Sequence, residues 1–187
     1  MSEKTSNPAV VGLAGFGSTT LLLQFHNLGW CSAGPVFWLA IFFGGLAQLI
    51  AGLQEFRTGN NYGFAAFTTY GAFWLALAGV FASSTYKFMP VTTTDVGWFL
   101  VIFTFMTLWF FIGAMKQNTA ISLLFLTLFL GYLFLDISHL TTAKVFTTIA
   151  AIDLIITSFI AYYMMMSVAF AQLGWTLSLG KPWIKSK

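Results

Sequence analysis

Six long stretches of apolar residues alternate with short polar breaks along the 187-residue chain. A helix needs roughly 20 mostly apolar residues to cross a bilayer. Each stretch meets this length loosely, and Gly, Pro, Asn and charged residues cluster in the breaks. The pattern predicts six membrane-spanning helices, at Ala9–Leu28, Pro35–Leu53, Phe64–Ser84, Asp95–Met115, Thr119–Leu135 and Val145–Gln172.

The same stretches decide the fold class. They are too long and too continuous for the strands of a membrane barrel, and backbone polar groups in hydrocarbon must be satisfied within their own segment. The loops and tails are short, so a soluble domain has no place in the chain. We therefore expect an all-α integral membrane protein, a six-helix bundle that forms one transmembrane domain over residues 1–187.

Composition supports this interpretation and excludes several functions. Hydrophobic residues make up 58% of the chain and charged residues only 7%, whereas a soluble domain carries about 25% charged residues. No basic cluster indicates a nucleic-acid partner. One Cys and two His offer no disulfide framework and no metal site. With no nucleophile–base pair and no phosphate loop, neither an enzyme nor a cofactor is expected, and the partner of the outer surface is the lipid bilayer.

The positive charges are unevenly divided between the two ends of the predicted bundle. An even number of spans puts both termini on one side, together with Lys4, Arg57, Lys116, Lys181, Lys185 and Lys187. The opposite side has only Lys87 and Lys144. Because positive loops remain inside, both termini are expected in the cytoplasm of a multi-pass protein of the cell (plasma or inner) membrane.

Polar residues within the spans are the candidates for function, since each is costly in lipid unless it is satisfied. Several follow helical spacing along one face of their helix. Apolar residues share these faces, and the residues concerned are Phe16, Thr19 or Thr20, Leu23 and His26 or Asn27 in the first span, Gln48 in the second, Tyr70 and Trp74 in the third, Leu128 and Tyr132 in the fifth, and Asp153, Thr157 and Ala161 in the sixth. Such residues either hydrogen-bond between helices or line a polar path.

Asp153 is the only acid that the predicted spans place at depth. Burial favours the neutral form of a carboxyl group, so Asp153 is a candidate for proton coupling. A structural hydrogen bond explains it equally well. No Lys or Arg falls within a predicted span, so an anion would meet only weak donors, which suits a path that must also release its cargo.

Asn7, Pro8 and Ala9, where the first predicted span begins, form a triplet that also occurs in water channels. Water channels carry two such triplets, and this chain has one. Pro8 equally suits the first turn of a helix capped by Asn7, because proline lacks the N–H that would be unpaired there. A channel for water or a neutral solute remains one alternative, and a membrane scaffold that transports nothing is another.

The segment Asn7–Leu13, NPAVVGL, resembles the NPAPLGL-type signature of the acetate uptake transporter family, also called succinate–acetate permeases. The positions shared with this signature are Asn7, Pro8, Ala9, Gly12 and Leu13. The likeness continues through the first 74 or so residues, in the segments 15–20, 26–27, 42–48, 51–53, 55, 59–60 and 66–74.

This resemblance implies transport of acetate, and of succinate in some members, by an anion channel or a proton symporter. It also implies a cyclic homohexamer with a pore in each protomer. The family narrows its pore with a Phe, a Tyr and a Leu, which correspond here to Phe16, Tyr70 and Leu128, and its substrate preference responds to an alanine that corresponds to Ala161. Asp153 has no counterpart in the family motifs.

Overall fold

The computed structural model describes residues 6–185, and all regular secondary structure within them is helical. Six helices are long and apolar enough to cross a membrane. They are α1 (Ala9–Asn27), α2 (Ala33–Thr58), α3 (Asn61–Tyr86), α4 (Thr93–Ala114), α5 (Thr119–Thr141) and α6 (Val145–Ala171). The predicted all-helical, six-span fold is therefore confirmed.

The predicted ends hold for α1, α4 and α6 to within two or three residues, but α2, α3 and α5 are longer than expected. The largest difference is in α5, where the sequence pattern placed residues 136–144 in a break. The helix instead continues to Thr141. It does so because Asp136 is not solvated: its Oδ2 accepts a hydrogen bond from the Thr104 hydroxyl of α4 at 2.6 Å.

Two further acids thus lie within the helices, near their ends, and both are more buried than Asp153. Asp136 is 7% exposed and Glu55, near the end of α2, is 2% exposed, while Asp153 is half-buried. Glu55 is held by local polar partners, since its Oε2 accepts from the Asn60 side-chain amide at 2.8 Å. Acids near predicted helix ends were assigned to loops because the pattern alone does not reveal such partners.

A π-helical segment, Phe42–Ala47, interrupts α2. Gly44 and Gly45 lie within it, and both are buried against neighbouring helices. A Cβ atom at Gly44 would lie 2.6 Å from the Thr19 hydroxyl oxygen of α1. The widened turn and the two glycines therefore bring α2 close to α1, and the next residue, Gln48, faces the interior.

Asparagine side chains cap the starts of three helices, α1, α3 and α5. The Asn60 carboxamide oxygen accepts from the Gly63 N–H at 3.1 Å at the start of α3, and that of Asn118 accepts from the Ile121 N–H at 3.0 Å at the start of α5. Asn7 does the same for the Ala9 N–H at 2.9 Å before α1. Each cap satisfies a backbone donor that the first helical turn leaves free.

The helices pack as neighbours around a centre formed by α1, α3 and α5. α1 packs against α6 and α2, α2 against α3, and α5 against both α4 and α6. Across the centre, α3 and α5 meet mainly through large rings, such as Phe73 and Tyr132 at 5.6 Å between centroids. Because α3 and α5 meet mainly through these rings, space remains between the two helices, and the internal cavities lie in that space.

The segment after α6 folds back over the bundle. Its backbone bonds to the turn between α4 and α5, with the Ala120 N–H donating to the Leu179 carbonyl at 2.9 Å and the Thr119 hydroxyl donating to the Lys181 carbonyl at 2.7 Å. The Trp183 N–H donates to the Met115 carbonyl at 2.9 Å. This segment thus covers part of the end of the bundle where α1, α3 and α5 begin.

Substitution of Gly71 tests how closely α2 and α3 pack. A Cβ atom there would lie 2.8 Å from the backbone nitrogen of Leu49 and 2.9 Å from its Cα, and backbone atoms yield less than side chains. We expect Gly71→Ala to lower the thermal stability of the detergent-solubilised protein. Gly79→Ala in the same helix meets nothing within 4 Å and serves as the matched control. Equal melting temperatures of the two variants would contradict this account of the packing.

Candidate functional site

Two cavities lie along the centre of the bundle, toward opposite ends. Cavity A, of about 230 Å³, lies toward the ends of α1, α3 and α5. Cavity B, of about 170 Å³, lies toward their beginnings. Phe16 of α1 and Leu128 of α5 line both cavities. The two side chains therefore stand between the cavities.

Tyr70 of α3 completes this boundary from the side of cavity B. Phe16, Tyr70 and Leu128 are 5%, 3% and 3% exposed, and the Phe16 and Tyr70 rings are 5.8 Å apart at an interplanar angle of 58°. The structure thus brings together the three residues that the sequence predicted at a constriction. Apolar side chains at a narrow point block hydrated ions because water is unstable there.

The Tyr70 hydroxyl is not directed to a ligand. It lies 2.8 Å from the Thr107 hydroxyl of α4, and Thr107 in turn donates to the Phe103 carbonyl at 2.6 Å. Since Thr107 uses its proton on that carbonyl, Tyr70 is the donor in the bond between them. This bond fixes the orientation of the Tyr70 ring.

Cavity A carries the polar groups of the α1 face. Thr20, His26 and Asn27 line it, as predicted, together with Trp74 of α3. The Thr20 hydroxyl and the Trp74 indole N–H are buried and have no hydrogen-bond partner among residues 6–185. A buried donor without a partner is costly, so both groups mark places where a polar ligand would be favourable.

The sequence pattern did not predict two further polar residues of cavity A. Gln24 lies one turn after Thr20 on the same face, and its amide oxygen accepts from the Asn27 side chain at 2.9 Å; the helical spacing of Thr20 and Gln24 was the available signal. His139 of α5 also lines the cavity. It was missed because the pattern had assigned its segment to a loop.

Cavity B has a different polar lining. Gln48 is 1% exposed, and neither its amide oxygen nor its amide nitrogen has a partner among the described residues. The two helix-capping residues Asn60 and Asn118 lie on the same cavity, and Leu179 of the C-terminal segment covers part of it. A carboxamide both donates and accepts, so Gln48 is able to bind either oxygen of a carboxylic acid.

The residues of the Asn7–Leu13 signature pack at the end of the bundle where cavity B lies. Ala9 and Leu13 line cavity B, after the cap provided by Asn7. Gly12 lies against the Phe67 ring, whose Cδ1 atom would be 2.7 Å from a Cβ atom at this glycine. Pro8 begins the helix and accepts through its carbonyl from the Gly12 N–H at 3.1 Å.

Thr19 and Ala161, two predicted path residues, lie at helix contacts and line neither cavity. Thr19 is fully buried against Gly44 of α2. Ala161 of α6 is fully buried, and its Cβ would lie 3.3 Å from a Cβ atom at Gly17 of α1. Any influence of these two positions on a substrate would therefore act through the placement of α1.

Asp153 also lies away from both cavities. It is half-buried on α6, next to the close contact between Gly131 of α5 and Leu154. One turn later, Thr157 donates to the Thr127 hydroxyl of α5 at 2.7 Å. The i, i+4 spacing of Asp153 and Thr157 suggested a polar path. The two residues instead lie at the contact between α5 and α6.

Comparison with known proteins agrees with this arrangement. The family model described as the GPR1/FUN34/yaaH family matches residues 1–176. The chain is 34% identical over 179 residues to the succinate-acetate/proton symporter SatP of Escherichia coli K12, covering 94% of this chain and 95% of that protein. It is 32% identical over 157 residues to acetate permease A of Emericella nidulans, covering 74% of this chain and 51% of the fungal one.

A solved structure, described as that of the bacterial acetate channel SatP, superposes with a TM-score of 0.91 at 34% identity. The match covers 95% of this chain and 100% of that one. The resemblance drawn from the Asn7–Leu13 signature is therefore confirmed. The chain is a multi-pass membrane protein that belongs to the GPR1/FUN34/yaaH family.

Proposed function

We propose that the protein carries acetate, and other small carboxylates such as succinate, across the membrane along a path that joins cavity A to cavity B. The observation that carries this proposal is that Phe16 and Leu128 line both cavities, with Tyr70 beside them. Only a thin apolar boundary separates the two spaces. The names of the bacterial and fungal relatives, a succinate-acetate/proton symporter and an acetate permease, support the choice of cargo.

The chemistry of the linings suits a small carboxylate that binds weakly. No Lys, Arg, Asp or Glu occurs among the described residues that line either cavity. The donors are neutral groups, such as Thr20 and Trp74 in cavity A and Gln48 in cavity B. Such donors hold an anion without trapping it, as conduction requires. The methyl group of acetate tolerates contact with Phe16 and Leu128, whereas a hydrated inorganic ion does not.

The proposed orientation puts both termini in the cytoplasm, so that cavity A opens to the outside. The charge bias of the loops supports it. Cys31, in the loop after α1, is partly exposed and is the only cysteine of the chain. We expect a membrane-impermeant maleimide to label Cys31 in intact cells. Labelling only after the cells are permeabilised would reverse the orientation, and Cys31→Ser controls for background.

We propose in addition that the protomers form a cyclic homohexamer, with a path in each. The broad apolar outer surface, which includes Trp38, Phe42, Phe105, Trp109 and Phe159, suits contact with lipid or with further copies of the chain. Native mass spectrometry of the protein released from a mild detergent measures the number of protomers directly.

Labelled-acetate flux into liposomes tests the proposal as a whole. Purified protein should admit acetate faster than protein-free liposomes, and an inward proton gradient should accelerate uptake if a proton accompanies the anion. Stopped-flow shrinkage of the same liposomes separates the alternatives. Water flow without acetate flux would favour a water channel, and absence of both would favour a scaffold.

The constriction is tested by Phe16→Ala and Leu128→Ala. Each substitution removes an apolar side chain from the boundary between the cavities, so we expect uptake of larger acids such as lactate to rise relative to acetate. Leu123→Ala is the matched control, because Leu123 lies on the same helix as Leu128 but is 39% exposed on the outer surface. If the Phe16 and Leu128 variants keep the selectivity of the Leu123 variant, the constriction lies elsewhere.

The bond between Tyr70 and Thr107 gives a separate prediction. Tyr70→Phe and Thr107→Val each remove it, so each should change acetate uptake by freeing the ring at the constriction. Because both act through one bond, the double variant should be no worse than either single variant. Additive effects on the uptake rate would instead indicate that the Tyr70 hydroxyl acts on the substrate.

A further inference from the structure

The only two histidines of the chain lie on one cavity. His26 is in the last turn of α1 and His139 in the last turn of α5, and both line cavity A. Building on the proposed function, we propose that the two protonated imidazoles form a carboxylate-binding site in cavity A, and that His139 gives its proton to the bound anion. The cargo then passes the constriction as a neutral acid.

Hydrogen bonds show which ring nitrogen of each histidine carries a proton in the neutral form. The Nδ1 atom of His26 lies 3.0 Å from the Cys31 carbonyl oxygen, and that of His139 lies 2.9 Å from the Leu135 carbonyl oxygen. A carbonyl only accepts, so each Nδ1 carries a proton. In a neutral ring the other nitrogen, Nε2, then has only a lone pair, which repels a carboxylate. A second proton turns Nε2 into a donor, so carboxylate binding requires the charged ring.

Each ring lies at the C-terminal end of its helix, where a helix dipole favours a cation. Asp136 precedes His139 by three residues, one helical turn, and is the carboxyl group nearest to it along α5. The second carboxylate oxygen of Asp136, Oδ1, is buried without a partner among the described residues. Asp136 does not line cavity A, so its carboxyl group does not occupy the place of the anion.

Few other titratable groups face His139. Tyr132 of its own helix and His26 of α1 share the cavity. From α4, the acid nearest in sequence to the cavity-lining Val96 is Asp95, whose carboxylate accepts from the Thr92 N–H at 2.8 Å and from its hydroxyl at 2.6 Å. The residues that α3 and α6 contribute to the cavity, such as Trp74 and Leu154, do not titrate. Asp136 is thus the acid within one turn of His139.

The proton transfer balances without a further reactant. The Nε2–H bond of the His139 imidazolium breaks, and a new O–H bond forms on the carboxylate, which gives a neutral carboxylic acid and a neutral imidazole. The acid then meets Phe16 and Leu128 without the cost of bringing a charge into an apolar space. Hydronium from the solution on the side of cavity A restores the imidazolium, so one proton enters with each carboxylate.

Acetate uptake as a function of external pH tests this mechanism. Wild-type uptake, corrected for protein-free liposomes, should rise as the external pH falls from about 8 to about 5.5, the range in which imidazole takes up a proton. His139→Gln keeps a polar side chain of similar reach but should lose the pH-dependent component.

The same measurement on Asp153→Asn examines the alternative acid on α6. We expect this variant to keep the wild-type pH profile. An unchanged pH profile for His139→Gln would overturn the proposal, and a flat one for Asp153→Asn would assign the proton coupling to α6 instead. If wild-type protein carries no more acetate than empty liposomes, the transport function itself fails, so the two failures are distinguishable.

Imidazole NMR gives a readout that does not depend on transport. With two histidines in the whole chain and a tag that contains none, the spectrum has two side-chain signals, which His26→Gln and His139→Gln assign. Sodium acetate should perturb both signals at about pH 5.5 and neither at about pH 8.5, where imidazole is neutral. Sodium chloride at equal ionic strength is the control. Absence of any acetate-specific change at the lower pH would overturn the proposed site.

Discussion

The structure depends above all on how polar side chains are satisfied within an apolar bundle. Hydrogen bonds between helices use some of them: Thr104 with Asp136 joins α4 to α5, Thr157 with Thr127 joins α6 to α5, and Tyr162 with Ser18 joins α6 to α1. Others, such as Thr20, Trp74 and Gln48, are buried without partners in the described part of the chain. The first group holds the helices in place, and Thr20, Trp74 and Gln48 lie on the two cavities.

Small residues determine where space remains. Gly71 and Gly44 let α2 approach α3 and α1 so closely that backbone or short side chains meet. The centre, in contrast, is filled by rings from α1, α3 and α5, which pack at angles and leave gaps. Tight contacts at the periphery and bulky contacts at the centre together create two cavities with an apolar boundary between them.

This boundary gives the proposed transport its selectivity, and the linings give it weak binding. Neutral donors serve the carboxylate on both sides of Phe16 and Leu128, while the charged form of the two imidazoles occurs only in cavity A. A path of this kind is asymmetric: the side that supplies the proton is the side where His26 and His139 lie. The proposed proton coupling thus follows from the position of two residues and not from a carboxyl group within the path.

Periodicity and charge in the sequence determined the number of spans, and with it the fold class, because twenty apolar residues in lipid have few alternatives to a helix. The motifs around Phe16 and Tyr70 also predicted these two residues of the boundary, since the motifs lie on short contiguous segments, whereas Leu128 lies outside the densely matching part of the chain. The tertiary structure alone decided which polar residues face a cavity. Asp136 became helical and buried through a partner on α4, with His139 following it in the same helix, and Asp153 and Ala161 lie at helix contacts, because burial depends on neighbours that are distant in the sequence.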